Sequence, residues 1–589
     1  MNKQLGRLKS GRLIFIGLLS LVLTSASVSW AQTVVTTLAD SGLGSLRQAI
    51  MDTSTDGVST TITFDPVVFP PPPALPGVIL LATPLPNLTG TGDTIDGTGA
   101  GVVLDGSALA AGSVGLRVRR SNYTIRGLSI QNMPSDGIRV ETPAPPTTVL
   151  NVTGVVIDGN TLIGNGSRGI RVSGGVGPGK TVSATVINNT ITDSFSAGIA
   201  VNGNLNSTGD PGGNTVTALV DGNTVKRSRA VLKTTPNFGG DGIDIVGGTG
   251  EGSNNSVTAT VSNNDVFLNR DDGIVAVACG LLASGSNNIL NVTIINNSVK
   301  DNGTINPELV TNTGIVVSGA SREEQIGGGE EASTCDGNTV QFVISGNTVK
   351  GNRTQNISIS GGPGTGHDIQ GIVSANSAND SPEGDGISIS GGRGIGTTVH
   401  DVTVSNNQVS GNFNRGIIIS GGTETVNAVL TSIDVLSNSV RSNGTQGILI
   451  SGGTLSENAT ISDVLIDSNS STGNGSRGIQ ATRGTTLSAS PPVISLAGVT
   501  NNTTSTNALD GILISSNVQG SGATPVSGNR ADRNAEDGID LNSTGYVVSN
   551  NTASRNTLDG INAVGNINGG GNTGKGNGSC NQPFTGCLP

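Results

Sequence analysis

Three carboxylates are the first residues whose spacing invites chemistry. Asp241 precedes Gly242-Ile243, and Asp271-Asp272 precede Gly273-Ile274 one repeat later. If these Gly-Ile pairs stack in successive layers, the carboxylates stand a few ångströms apart and cannot all be ionised cheaply. One pKa must rise, or a cation must sit between them, calcium being the ion that suits oxygen-only donors. A raised carboxylic acid beside an ionised one is the acid–base pair that cleavage of a glycosidic bond uses. The same Asp-Gly-Ile triplet recurs at Asp136, Asp385, Asp510, Asp537 and Asp559. An Asp in that place also suits a purely structural task, capping a turn by accepting backbone N–H bonds.

A second candidate is basic. The second residue after the repeated Gly is Arg117, Arg139 and Arg171 in three consecutive copies, with Arg119, Arg120 and Arg126 close by in sequence. One guanidinium per layer on an acidic protein suits a linear anion, such as a uronate or sulfated polysaccharide. Pairing with neighbours such as Glu141 is the plain alternative. Neutral glycans, which stack on aromatic rings, are poorly served by a chain with two Tyr and a single Trp. His367-Asp368 and His400-Asp401 offer a metal site or an acid–base pair if they align. No phosphate loop, dinucleotide fingerprint or CxxC metal pattern occurs in a working context, so no cofactor is expected.

These side chains need a scaffold, and the repeat supplies it. Clean copies read VTVSNNQVSGNFNRGIIISGG (402–422) and IDVLSNSVRSNGTQGILISGG (433–453). The central Asn recurs from Asn160 to Asn551 at spacings of 22 to 50 residues, settling at 31 between Asn376 and Asn469. A second Asn follows five residues later in most copies, and then the Gly-Ile pair. Apolar residues alternate, as in Val402 and Val404 or Ile417 and Ile419, which is strand periodicity. The last copies are too short for the four strands of a propeller blade, and units of this length fit one turn of a parallel β-helix. Turns rise about 4.8 Å, so an inward Asn amide at a corner can donate to the copy on one side and accept from the copy on the other. The residue before the first ladder Asn is Gly, Asn, Ser or Ala, as a bend of unusual φ requires. About fifteen turns predict a rod on the order of 70 Å long.

Composition agrees. The chain has 589 residues, 90 of them Gly, with 12% charged and 2% aromatic. Its core must therefore be thin, regular and built from Val, Ile and Leu. A net charge of −11 argues against a nucleic-acid partner. Lys3, Arg7, Lys9 and Arg12 precede the apolar run Leu13 to Leu23, and Ser29-Trp30-Ala31 follows. That is the pattern of a signal peptide cleaved after Ala31, and no later run is apolar enough to span a membrane. The expected location is secreted, extracellular or periplasmic. Export makes the cysteines a disulfide question. Cys580 and Cys587 suit a local staple, while Cys279 and Cys335 fall in the same loop of successive turns, where a bridge is sterically plausible.

The repeats resemble the right-handed parallel β-helix proteins of the pectate-lyase-like superfold. The segments TVVTTLADSGLGSLRQAI (33–50), ITFDPVVF (62–69) and TIDGTGAGVVLDG (94–106) resemble the N-terminal part of bacterial exported β-helix proteins. That likeness implies a short helix at Gly44 to Ile50 capping the open end of the rod, whose strand edges would otherwise be unpaired. GGDGIDI (239–245) and DDGIVAV (271–277) resemble the two aspartate motifs of polygalacturonases, which implies acid and base roles for Asp241, Asp271 and Asp272. The chain departs from that family at Asn312-Thr313-Gly314, where the family has His between two Gly, and it lacks an Arg-Ile-Lys motif. The expected organisation is a signal peptide (1–31), an N-terminal cap and first turns (32–100), an all-β solenoid (101–566) and a Gly-rich, flexible tail with a disulfide loop (567–589). The expected function is a non-catalytic scaffold binding a polysaccharide or cell-surface component through Arg117, Arg139 and Arg171. The alternative is a polysaccharide hydrolase or lyase.

Overall fold

The computed structural model describes residues 31–579, apart from 146–147, 149–150, 206–208, 230–239, 281–282, 304–311, 325–329 and 487–489, together with 587–588. The leader segment 1–30 and the Cys580–Cys587 staple lie outside the described residues.

One turn shows how the repeat folds. Val429–Leu436 lies in a first sheet (A), Ser439–Arg441 in a second (B) and Ile448–Ser451 in a third (C), with a loop returning to sheet A. Each strand pairs in parallel with its copy one turn on, Val429 with Thr460, Ser439 with Ser470 and Ile448 with Ile479. Among the described residues, sheets A and B contain 18 strands each and sheet C contains 15. The chain is a right-handed parallel β-helix, as the repeat implied. Alternate side chains point inward, so Leu430, Ile433, Val435, Val440, Ile448 and Ile450 are fully buried in one continuous core.

The corners are held by asparagine. Asn438 Oδ1 accepts from the backbone N and Nδ2 of Asn407 at 3.0 and 2.9 Å. Its Nδ2 donates to Asn469 Oδ1 at 2.9 Å and to Val404 O at 2.8 Å. Every polar atom of a dry amide is thereby satisfied. The preceding residue is in the left-handed region throughout, as at Ala375 (φ 54°) and Ser437 (φ 55°). The spine also runs further than its sequence pattern showed. Gly569 to Gly578, which its glycines mark as flexible, contributes to the strands Ile567–Gly570 and Thr573–Lys575, and Asn572 and Asn577 extend both ladders. The repeated Gly has a steric reason. A Cβ on Gly416 would lie 2.6 Å from Gly447 O and 2.8 Å from Nδ2 of the ladder residue Asn443.

At the first turns, the helix Leu46–Thr53 begins at the N-cap Ser45, whose hydroxyl accepts from Gln48 N, and buries Leu46, Ala49 and Ile50. It packs against the strands Ala31–Val35 and Thr60–Phe64. Ala31 itself opens the first strand, paired with Thr60. Cys279 and Cys335 form a disulfide between successive turns, with Cα atoms 6.4 Å apart. Among the described residues no helix is long and apolar enough to cross a membrane.

Candidate functional site

The outer face of sheet C gathers the candidate residues. Leu116 and Val118 point inward, so Arg117 between them points out, and the strand register stacks Arg117, Arg139 and Arg171 in consecutive turns. The column continues through Ala200 and Asp244 to Val275. The basic stripe therefore exists, but two of its three members are already paired. Glu141, only 1% exposed, lies 2.8 Å from Arg119 Nη2, 3.5 Å from Arg117 Nε and 3.8 Å from Arg139 Nη1. Asp136 Oδ2 lies 2.5 Å from Arg139 Nε, and its other oxygen accepts from Arg168 N at 3.2 Å. Burial works to raise the Asp136 pKa, but Arg171, Arg139 and Arg168 outweigh it and hold the carboxyl below its ordinary value.

Arg171 differs. It is 8% exposed, and its Nε is buried without a hydrogen-bond partner among the described residues, while Asp136 and Glu141 lie near enough for their charges to act on it. Burial and the neighbouring Arg168 pull its pKa below the usual guanidinium value, although the group stays charged at neutral pH. Asp244 is its counterpart. Burial pushes its carboxyl up, against Arg168 and Arg171, and no hydrogen bond to it is found among the described residues.

Asp241, Asp271 and Asp272 do come together, with carboxylate oxygens within 4.8 Å of one another, partly buried. Two of them also serve the fold. Asp241 Oδ1 accepts from Asp272 N at 3.2 Å, and Asp272 Oδ1 accepts from Thr313 N at 2.5 Å. Asp385, Asp510 and Asp537 accept in the same way from Arg415, Asp537 and Asp559, which makes this column a backbone-capping ladder. A second acidic group, Asp510, Asp537 and Asp540, has the same compactness. Only the register brings Asp540, on a strand of sheet C, beside the capping pair. Burial, with the charges of Asp540, Asp510 and Asp559, pushes the Asp537 carboxyl up to about 6, against its bond from Asp559 N.

The histidines do not form a joint site. His367 occupies an inward corner, with Nδ1 accepting from Asn338 N and Nε2 2.7 Å from Pro363 O, and burial pushes its pKa down. His400 lies on the outside of sheet A between Asp368 (2.8 Å) and Asp401 (2.7 Å), which raise its pKa against burial. The corner residue and the strand residue face opposite ways.

Sequence reasoning missed a groove of about 560 Å³ along sheet C. Its floor is Val275, Val316, Ser358, Ser388 and Ile418, one residue from each of five successive turns. Asp272, Thr313, Asp385 and Arg415 line one side, and Pro363, Arg393, Thr423 and Thr454 the other. The returning loops are set by a hydroxyl column, in which Ser360, Ser390 and Ser420 accept from Gly362, Gly392 and Gly422 N at 3.0, 3.0 and 3.1 Å. The recurrent Ser-Gly-Gly was the available signal. Among the described residues no aromatic side chain lines the groove.

No protein-family model matches the chain, and neither does any curated protein. Solved structures do. The Dettilon tailspike protein is 16% identical, with 65% of this chain and 62% of the tailspike covered and a TM-score of 0.37. This chain thus spans less than two thirds of that protein's length. A periplasmic alginate epimerase is 12% identical over 74% of this chain and 75% of its own (TM-score 0.31). The A-module of a mannuronan C-5 epimerase from Azotobacter vinelandii is 14% identical over 79% and 90% (TM-score 0.30).

Proposed function

We propose that this is an exported, non-catalytic rod that binds an anionic polysaccharide lengthwise along the outer face of sheet C. The observation that carries this reading is the groove, whose floor advances by one side chain per turn and continues the column that begins with Arg117, Arg139 and Arg171. Turns rise about 4.8 Å, close to the length of one pyranose unit in an extended chain. Successive sugars therefore meet equivalent positions in successive turns. Hydroxyls from Ser358 and Ser388 and the side chain of Arg415 offer hydrogen bonds where ring stacking is not on offer. The Cys279–Cys335 bridge suits an oxidising compartment, in keeping with the basic and apolar leader. The partner is a polysaccharide or another cell-surface component carrying such a chain. The test is retention on immobilised pectate, alginate and a sulfated glycan, beside a neutral glycan. Retention on an anionic matrix is expected, and Ser358→Trp with Ser388→Trp, which fill the groove, should lower it at least tenfold. Failure to bind any anionic matrix, or unchanged binding by the filled groove, would reject the reading.

A second reading is a polysaccharide hydrolase or lyase. One observation favours it, the position of Asp272 on the groove with the oxygens of Asp241 and Asp271 within 4.8 Å. Release of reducing or unsaturated ends from pectate or alginate, abolished by Asp272→Asn, would support it. The absence of products from the wild type would dismiss it.

A further inference from the structure

Sheet A carries a groove of its own, of about 450 Å³, on its outer face. It crosses successive turns, among them the strands Ile289–Ile295, Thr339–Ser345 and Asp368–Ser374. Val292 and Phe342 are buried in the core, so the residues on either side of them point out. The register stacks Asn291, Gln341 and Gln370 as one wall and Thr293, Val343 and Ile372 as the other. The groove stops where the next strand takes up an extra residue. Ile369 pairs with Val399 but Gly371 pairs with Val402, and the bulged Asp401 (φ 50°) lines that end.

Three features define what fits there. First, the walls are uncharged. Among the described residues Asp401 is the one ionisable group lining the groove, and the adjacent His400 is held between Asp368 and Asp401. An anionic chain would find no free cation and would meet a carboxylate at the closed end. Second, the carboxamides of Asn291, Gln341 and Gln370 are not buried and make no side-chain hydrogen bond among the described residues. Each offers donors and an acceptor together, which a sugar hydroxyl answers in kind. Third, the walls repeat once per turn, about every 4.8 Å, whereas an extended peptide repeats its side chains about every 6.6 Å. The backbone groups of these strands are also paired on both sides, so no peptide can add to them as a further strand.

We infer that sheet A holds a second polysaccharide site, for an uncharged, extended chain of β-1,4-linked hexose units lying along the rod axis. Hydroxyls on one edge of the chain meet the amide wall, and the C–H faces of its rings rest on Val343 and Ile372. Carboxamides and aliphatic side chains here take the place of the aromatic rings that the sequence lacks. The site lies on a different sheet from the groove over Val316 and Ser358 and does not depend on it. A rod occupied on both faces ties together two chains of unlike charge.

The experiment is calorimetric titration of the full chain with cellohexaose, with mannohexaose and with the disaccharide of each. The variants are Gln341→Ala with Gln370→Ala, which removes two amides, and Thr293→Lys, which obstructs the opposite wall. Both change side chains that are not buried, and equal thermal midpoints confirm that the fold is kept. The filled sheet C groove, Ser358→Trp with Ser388→Trp, is titrated beside them. At least one hexasaccharide should bind the wild type, at least tenfold more tightly than its disaccharide, because several turns contribute. Each sheet A variant should weaken that binding at least tenfold, and the filled sheet C groove should leave it unchanged. No binding of either hexasaccharide would overturn the inference, as would binding that neither sheet A variant alters. Binding lost on filling sheet C would also overturn it, by placing the uncharged chain in the other groove. Retention on the anionic matrices reads sheet C separately, so the two sites stand or fall independently.

Discussion

Asn356 Nδ2 donates to Asn412 Oδ1 at 2.9 Å across a separation of 56 residues, bridging a layer in which the second ladder has no asparagine. Ser381 stands in that layer at the ladder position, and its backbone N still donates to Asn412 Oδ1 at 3.0 Å. Asn356 replaces the Gly of its own Gly-Ile pair, and its Oδ1 accepts from Asn352 Nδ2 at 3.1 Å. Two departures from the repeat thus repair each other, and the amide spine passes from Asn352 to Asn412 through a residue borrowed from another column. Asn356→Gly restores the usual residue at one position but takes one partner each from Asn352 Nδ2, which keeps Val299 O, and Asn412 Oδ1, which keeps Ser381 N, and removes the donor to Asn379 O. It should lower stability by about 2 kcal/mol. Adding Ser381→Asn should restore most of the loss. Equal thermal midpoints for the wild type and the single variant would show that the bridge contributes nothing.

That pair marks how far the sequence could be read. The two main ladders, the Gly-Ile pairs and the register of the outward column were legible because stacked amides demand the same residue in every layer. The third spine was not. It runs through Asn214, Asn255, Asn288 and Asn338, and then passes to His367, so too few copies keep the residue for a pattern to stand out. The Arg stripe was legible as a column, whereas its pairing depends on how Glu141 and Asp136 turn toward it across strands. The groove escaped notice because Ser, Thr and Gly line it, and in any solenoid these residues also make turns. Histidine spacing misled because one residue lies at an inward corner and the other on an outward strand position.

The residue before the second ladder Asn also occupies the left-handed region, but there residue type gives no warning. Leu268 (φ 55°), Arg533 (φ 56°) and Thr506 (φ 54°) all adopt it. The hydrogen bonds of the following Asn hold the corner despite the strain, as Asn507 does toward Asn534 at 3.0 Å. Thr506 is exposed, and a β-branched residue is the least suited to this conformation. Thr506→Gly should therefore raise stability by about 1 kcal/mol. Ser505→Gly, one residue earlier in an extended strand, should lower it. Chemical denaturation of both variants checks the contrast, and a loss of stability in both would show that the corner is unstrained.

The acidic group at Asp510, Asp537 and Asp540 gives stability a pH dependence of unusual sign. The Asp537 carboxyl is pushed up to about 6 in the folded chain, chiefly by burial and then by its carboxylate neighbours, from an ordinary value of 3.8. Between those values the folded state holds a proton that the unfolded chain has released. Stability from this group is therefore complete below about pH 4 and falls as pH rises through 6. Asp537→Asn keeps an oxygen that can accept from Asp559 N and removes the charge. At pH 7.5 the variant should be more stable than the wild type by about 1 kcal/mol, the shift being discounted for solvent screening at a partly exposed site. At pH 4 the two should unfold together. Thermal midpoints of both proteins from pH 4 to 8 supply the measurement. A variant that is less stable at pH 7.5, or a difference that does not shrink on acidification, would mean that Asp537 is ionised and satisfied in the folded rod.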